Sequence, residues 1–160
     1  MKTIIDSISK RLLQVLQQDA RISNQDLANR IGISPSPCLQ RRKRLEDLGV
    51  ITGYETRIDL SKLTSHVEVI AEITLNTNKT PEERRFHEYI ADVPEIVTCH
   101  AVAGKIDYFA MFIAPSVQHY LAVVDQMIEE LGIVETITSH IVYGRTKSFS
   151  GLPLDLLLQD

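Results

Sequence analysis

The densest chemistry in the chain lies in Ser34–Gly49, SPSPCLQRRKRLEDLG, where the consecutive cations Arg41, Arg42, Lys43 and Arg44 closely follow two prolines. Guanidinium and ammonium groups so placed suit phosphate oxygens, and an arginine fork also matches the two acceptors on a guanine edge. Ser36 and Gln40, just ahead of the run, suit the reading of base edges at closer range. The plain alternative is a solvated basic face on a helix. Nothing else in the chain competes as chemistry. His66, His87, His100, His119 and His140 show neither HExxH nor a paired i,i+4 spacing, so no metal site is expected. Cys99 and His100 are neighbours on an expected strand and so point to opposite faces, against a Cys–His dyad. Cys38 reads as a buried, unreactive helix residue. No glycine-rich phosphate loop and no GxSxG occur, and without a convergent acid–base or nucleophile set the chain is not expected to be an enzyme.

The surrounding elements decide how the basic run is held. Ile5, Ile8, Leu12, Leu13 and Leu16 recur at three- and four-residue intervals, following on from Ile4, and predict an amphipathic helix from Asp6 or Ser7 to Asp19. Ser23 with Asp26 makes a helix start, Leu27, Ala28 and Ile31 a short apolar face, and Gly32 a turn, so a second helix runs from Asn24 to Ile31. Ser34 can cap a third helix whose first position is Pro35, where a missing N–H costs nothing; Pro37 still lies in the first turn. The prolines start this helix rather than break one. Helix, tight turn, helix, packed on an earlier helix, is a helix-turn-helix, whose second member enters the major groove by its N-terminal end. On a 100° wheel Cys38, Leu45, Leu48 and Gly49 fall on the core side. Ser36, Gln40, Lys43 and Asp47 fall opposite, with Arg41 and Arg44 on one flank. In GVITGYETRIDL, Tyr54 to Leu60 alternates apolar with polar, which predicts a strand or small hairpin, the wing of a winged helix.

The charge balance separates this part from the rest. The 160 residues carry a net charge of −4, yet residues 1–60 hold ten Lys/Arg against seven Asp/Glu, and residues 61–160 seven against fourteen. A basic first piece on an acidic remainder fits two domains, only the first suited to a polyanion. The longest apolar run, Phe109 to Ala114, is strand-sized, so no membrane partner is expected. Asp6 and Ser7 interrupt any signal-peptide core, and a cytoplasmic protein is the expectation. Two distant cysteines without CxxC spacing indicate neither a disulfide framework nor zinc.

His66 to Leu75 alternates as a strand with one buried face, and Thr80-Pro81-Glu82-Glu83 opens a helix that Pro94 ends. Glu95 to Val102 and Asp107 to Ile113 read as strands joined by Ala103-Gly104-Lys105-Ile106. Pro115 and Ser116 open a second helix, Gly132 ends it, and Glu135 to Tyr143 is a last strand. The order is βαββαβ, a ferredoxin-like domain whose uncovered sheet face is apolar enough to pack on a second copy, giving a homodimer. The fold class is therefore α+β. The expected organisation is a winged helix-turn-helix over 1–52, a strand and linker over 53–65, a ferredoxin-like effector-binding and oligomerisation domain over 66–147, and a tail over 148–160 apolar enough to pack on a neighbour.

RISNQDLANRIGISPSPCLQRRKRLEDLGVI and HAVAGKIDYF together resemble the leucine-responsive regulatory protein and asparagine-regulator family, the Lrp/AsnC or feast/famine regulators, over nearly the whole chain. The resemblance implies a transcriptional regulator that binds double-stranded DNA and senses an amino acid, without another cofactor, and whose dimers assemble into larger rings, commonly octamers. With the wheel reading of the third helix, the expected DNA contacts are Ser34, Ser36, Gln40, Arg41, Arg42, Lys43 and Arg44. The resemblance also implies effector contacts near Gly104, Lys105, Asp107 and Tyr108, where backbone N–H groups and a carboxylate suit an α-amino acid. Taken on its own spacing, Gly104 would serve as a hairpin glycine and Asp107 as the cap of its turn. The chain departs from the pattern at two places. Arg42 stands where relatives carry a β-branched residue, and Ile137 and Ser139 are read at the positions of a Thr-x-Thr pair, leaving Ser139 as the polar contact.

Overall fold

The apolar spacing of the first third becomes three helices in the computed structural model of the chain, which describes residues 5–77 and 80–158. They are α1 (Ser7–Gln18), α2 (Asn24–Ile31) and α3 (Pro35–Asp47). Residues 1–4, including Ile4 and most of the stretch read for a leader, lie outside the described residues, as do residues 78–79 and the last two of the tail. Asp6 caps α1 by accepting the Ser9 N–H at 2.7 Å, and Ser23 caps α2 by accepting the Asp26 N–H at 3.1 Å. The turn between α2 and α3 rests on Gly32 at φ 75°, a conformation that costs a side chain-bearing residue energy. Its N–H and that of Ile33 both reach the Ala28 carbonyl, at 2.9 and 3.1 Å, so only three residues separate α2 from α3. Leu12, Leu27, Ala28 and Cys38 are completely buried between the three helices, with Ile31 and Leu45 nearly so.

The structure departs from three local expectations. Ser34 occupies the cap position of α3, but its hydroxyl makes no capping bond. A cap oxygen bonds the second or third helical N–H, and the third position is Pro37, which has none; the first amide beyond it, Cys38, bonds the Ser34 carbonyl at 3.1 Å. Leu48, expected in the core, is 50% exposed, and Gly49 is exposed with it. Leu48 follows the last helical residue at the rim of the buried face, and the chain reverses there through bonds from Gly49 to Glu46 and from Val50 to Leu45. The strand expected over Tyr54 to Leu60 is absent. Residues 52–59 lie in no ladder within this chain, because a strand needs a backbone alongside it and no described segment of the same chain supplies one; Leu60–Lys62 is a short 3₁₀ turn capped by Asp59.

The remaining elements are β1 (Val67–Leu75), α4 (Thr80–Ala91), β2 (Ile96–Ala101), β3 (Tyr108–Ala114), α5 (Val117–Leu131), β4 (Val134–Ile141) and α6 (Leu154–Leu157). The strands form one antiparallel sheet in the order β2-β3-β1-β4, the ferredoxin-like arrangement. Val69, Ala71 and Ile73 of β1 pair across to Phe112, Ala110 and Tyr108 of β3, and this face packs under α4 and α5 through Phe86 and Met127. The other face carries Glu68, Ile70 and Glu72 of β1 opposite Ile113, Met111 and Phe109 of β3. The chain divides into two units, one of Met1–Arg57 with Lys147–Asp160, the other of Ile58–Thr146.

Phe86 is fully buried and its ring stacks 4.5 Å from Tyr108. Phe86→Ala is expected to lower unfolding stability by about 3–5 kcal/mol, measured by urea titration. Leu121→Ala, on the exposed side of α5, should stay within about 0.5 kcal/mol.

Candidate nucleic-acid interface and effector site

The four cations of α3 do not share one environment. Lys43 and Arg44 are exposed, as are Ser34, Ser36 and Gln40, and these residues together form the open side of the helix. Arg41 turns back to α1, where its guanidinium donates to the Asp6 carboxylate at 2.5 Å and to the Ser9 hydroxyl at 3.2 Å. The Ser9 amide is the strongest influence on the Asp6 carboxyl, followed by the Ser9 hydroxyl and Arg41; together they hold it down at about 2.

Arg42 is occupied on the other flank. Its Nε donates to Tyr54 Oη at 2.9 Å and to Glu46 Oε1 at 3.1 Å, and its guanidinium sits 4.8 Å from the centre of the Tyr54 ring. Tyr54 closes the set by donating to Glu46 at 2.7 Å, the contact that does most to lower the Glu46 carboxyl; burial first, then Glu46, pushes the Tyr54 phenol up. Arg42 therefore clamps the segment after α3 to the helix, with its stem half-buried. Asn24, the first residue of α2, donates to the Pro35 carbonyl at 2.9 Å and fixes the start of α3. Nothing in the sequence marks Asp6, Ser9 and Tyr54 as partners of these arginines; only Glu46, one helical turn from Arg42, carries a local signal.

In the second unit the β2–β3 connection holds Gly104 and Lys105 exposed. Asp107 accepts the Leu75 N–H at 2.7 Å through Oδ2 and donates its own N–H to Ile73 at 3.0 Å, joining the β3 end to β1. Among the described residues its Oδ1 has no such bond. Tyr108 points into the core, its hydroxyl 3.0 Å from His87 Nε2, and burial raises its phenol. Ser139 pairs with Ala71, a core-face position, and its Oγ meets the Tyr120 hydroxyl at 2.6 Å; Ile137 pairs with Ile73 on the same face. The polar pair on the open face is instead Thr136 and Thr138, opposite Thr74 and Glu72. These two form a literal Thr-x-Thr, a signal the sequence already contained. His140 joins them, 3.3 Å from Glu72. Among the described residues no His/Cys/Asp/Glu group could hold a metal, and no helix is long and apolar enough to cross a membrane.

Comparison with known proteins matches both halves. Residues 5–52 fit the family model described as winged helix-turn-helix DNA-binding, and residues 68–152 fit the Lrp/AsnC ligand binding domain. The leucine-responsive regulatory proteins of Klebsiella pneumoniae and of Escherichia coli K12 are each 33% identical over 148 residues, covering 92% of this chain and 90% of the relative. An AsnC family transcriptional regulator from Agrobacterium tumefaciens superposes with a TM-score of 0.88 at 28% identity, covering 96% of this chain and 99% of that one. A transcriptional regulator of Neisseria meningitidis, solved as its L-Met complex, gives 0.88 at 27% identity with the same coverage.

Asp6 links these findings to a pH test. A carboxyl lowered in the folded state stabilises fully above the ordinary aspartate value of 3.8, and the effect disappears as pH falls from there to about 2. The stability difference between wild type and Asp6→Asn, which keeps a capping side chain, should shrink through that window in denaturant titrations. A difference independent of pH would argue against the contacts from Ser9 and Arg41 that hold the Asp6 carboxyl low.

Proposed function

Because the chain belongs to the Lrp/AsnC family of DNA-binding transcriptional regulators, a family that is not enzymatic, we propose that α3 reads an operator in the major groove and that an amino acid tunes its binding. The observation that carries the first part is the open side of α3, where Ser36, Gln40, Lys43 and Arg44 are exposed together. Lys43 and Arg44 neutralise phosphates, while Ser36 and Gln40 meet base edges near the N-terminal end. Arg41 and Arg42 act from behind, as the ties that aim the helix. The protein works in the cytoplasm.

Two copies join through the open sheet face, where Ile70, Phe109 and Met111 sit among polar residues. Two recognition helices then address half-sites about 34 Å apart, one turn of duplex, and dimers assemble further, into octamers. The effector reading is supported by the methionine held by the Neisseria relative. Here the groups suited to an α-amino acid are the exposed Gly104–Lys105 backbone, the unbonded Oδ1 of Asp107, and Thr136 with Thr138. A ligand that contacts some subunit arrangements and not others shifts assembly, and with it DNA geometry.

Replacing Lys43 and Arg44 together by Ala should weaken binding to promoter DNA and flatten the log–log salt dependence by about two; unchanged affinity and slope would remove α3 as the reading element. A thermal-shift screen of the standard amino acids should reveal at least one that raises the melting temperature, since a ligand of the native state stabilises it. A flat screen would end the effector reading.

A further inference from the structure

The outward side of α1 is already occupied, by the end of the chain. Lys10, Gln14 and Gln17 stand at i, i+4 and i+7, one stripe of the helix, while Leu12 and Leu16 face the core. Gln17 reads a single backbone residue with both ends of its amide. Its Oε1 accepts the Leu152 N–H at 2.5 Å and its Nε2 donates to the Leu152 carbonyl at 3.4 Å. Asp155 spends both carboxylate oxygens, one on Lys10 Nζ at 2.8 Å and one on Gln14 Nε2 at 2.9 Å. Lys10 also donates to the Leu158 carbonyl at 3.3 Å.

Gly151 makes this approach possible. It sits at φ 118°, and a Cβ there would lie 3.3 Å from the Gln17 amide carbon and oxygen. Arg57 adds a contact from the segment after α3, 5.6 Å from the Phe149 ring.

We propose that Phe149–Leu158 is a releasable latch on the DNA-binding unit. Docked, it holds α1, and α1 in turn holds Arg41 of the recognition helix through Asp6 and Ser9. Released, it loosens both. The docking surface is polar and half-exposed, with no buried apolar anchor: Leu152, Leu156 and Leu157 remain largely in solvent. Such a contact is made and broken at low cost. The segment follows β4 and the last residues of the second unit, so it is the described stretch that runs on from the effector-binding sheet and ends on a helix of the DNA-binding unit.

The test uses the full-length chain and measures hydrogen exchange of residues 7–18 alongside titration with duplex promoter DNA. Gly151→Val and Asp155→Lys should each speed exchange in α1 roughly fivefold or more and weaken DNA binding several-fold. Lys10→Glu combined with Asp155→Lys reverses the ion pair and should return both readouts most of the way to wild type. Exchange in α1 unchanged in both single variants would overturn the latch. Faster exchange that the reversed pair fails to slow would overturn the assigned contact. Loosened α1 with unaltered DNA affinity would overturn its bearing on the recognition helix. A wild-type chain without affinity for DNA would sink the DNA reading, and the exchange data would still decide whether the latch exists.

Discussion

Among its core partners α3 buries only Cys38 and Leu45. Two apolar side chains seven residues apart fix a helix against its neighbours along one line, yet leave it free to rock about that line. Polar ties on its flanks supply the missing constraint. Arg41 reaches Asp6 and Ser9 on one side, Arg42 reaches Glu46 and Tyr54 on the other, and Asn24 holds the Pro35 carbonyl at the start. Each tie is partly exposed and individually weak. Together they divide the basic run into cations that aim the helix and cations, Lys43 and Arg44, that remain available.

The second unit solves a different problem. Its sheet has one face closed by α4 and α5, and residue parity along each strand decides what the other face presents. On β1 the even residues Glu68, Ile70 and Glu72 are outward, and on β4 the even residues Thr136, Thr138 and His140 join them. The resulting surface mixes carboxylates, hydroxyls and imidazole with Phe109 and Met111. That mixture of apolar and polar groups suits both the second copy and the small polar ligand proposed for this face, which would then draw on the same strands.

Helix limits were legible in the sequence because their causes are local: Asp6, Ser23, Ser116, Gly32 and Gly132 cap or end helices within a few residues of themselves. The βαββαβ order was legible because alternation and helical spacing differ in period. What failed were statements depending on partners distant in sequence. A wing strand was read from the alternation of Tyr54 to Leu60, but alternation cannot supply a neighbouring strand. Arg41 looked free because Asp6 lies 35 residues away. Which face of β4 carries Ser139 was not legible either, because parity on that strand becomes fixed only by its pairing with β1, through an irregularity at Thr74/Leu75. Nothing in GLPLDLLLQD advertised that its single aspartate before the last residue would find Lys10 and Gln14 at the opposite end of the chain.

The two prolines that open α3 have an effect on its tip beyond starting it. A helix ordinarily offers several unbonded amides at its first turn, a ready cradle for a phosphate. Here Pro35 and Pro37 contribute none, and the Cys38 amide is spent on Ser34, leaving Ser36 with the one donor of that turn. The helix keeps the attraction of its positive end but loses the backbone fork that would grip any phosphate regardless of sequence. What the tip presents to its surroundings is therefore side chains more than backbone donors.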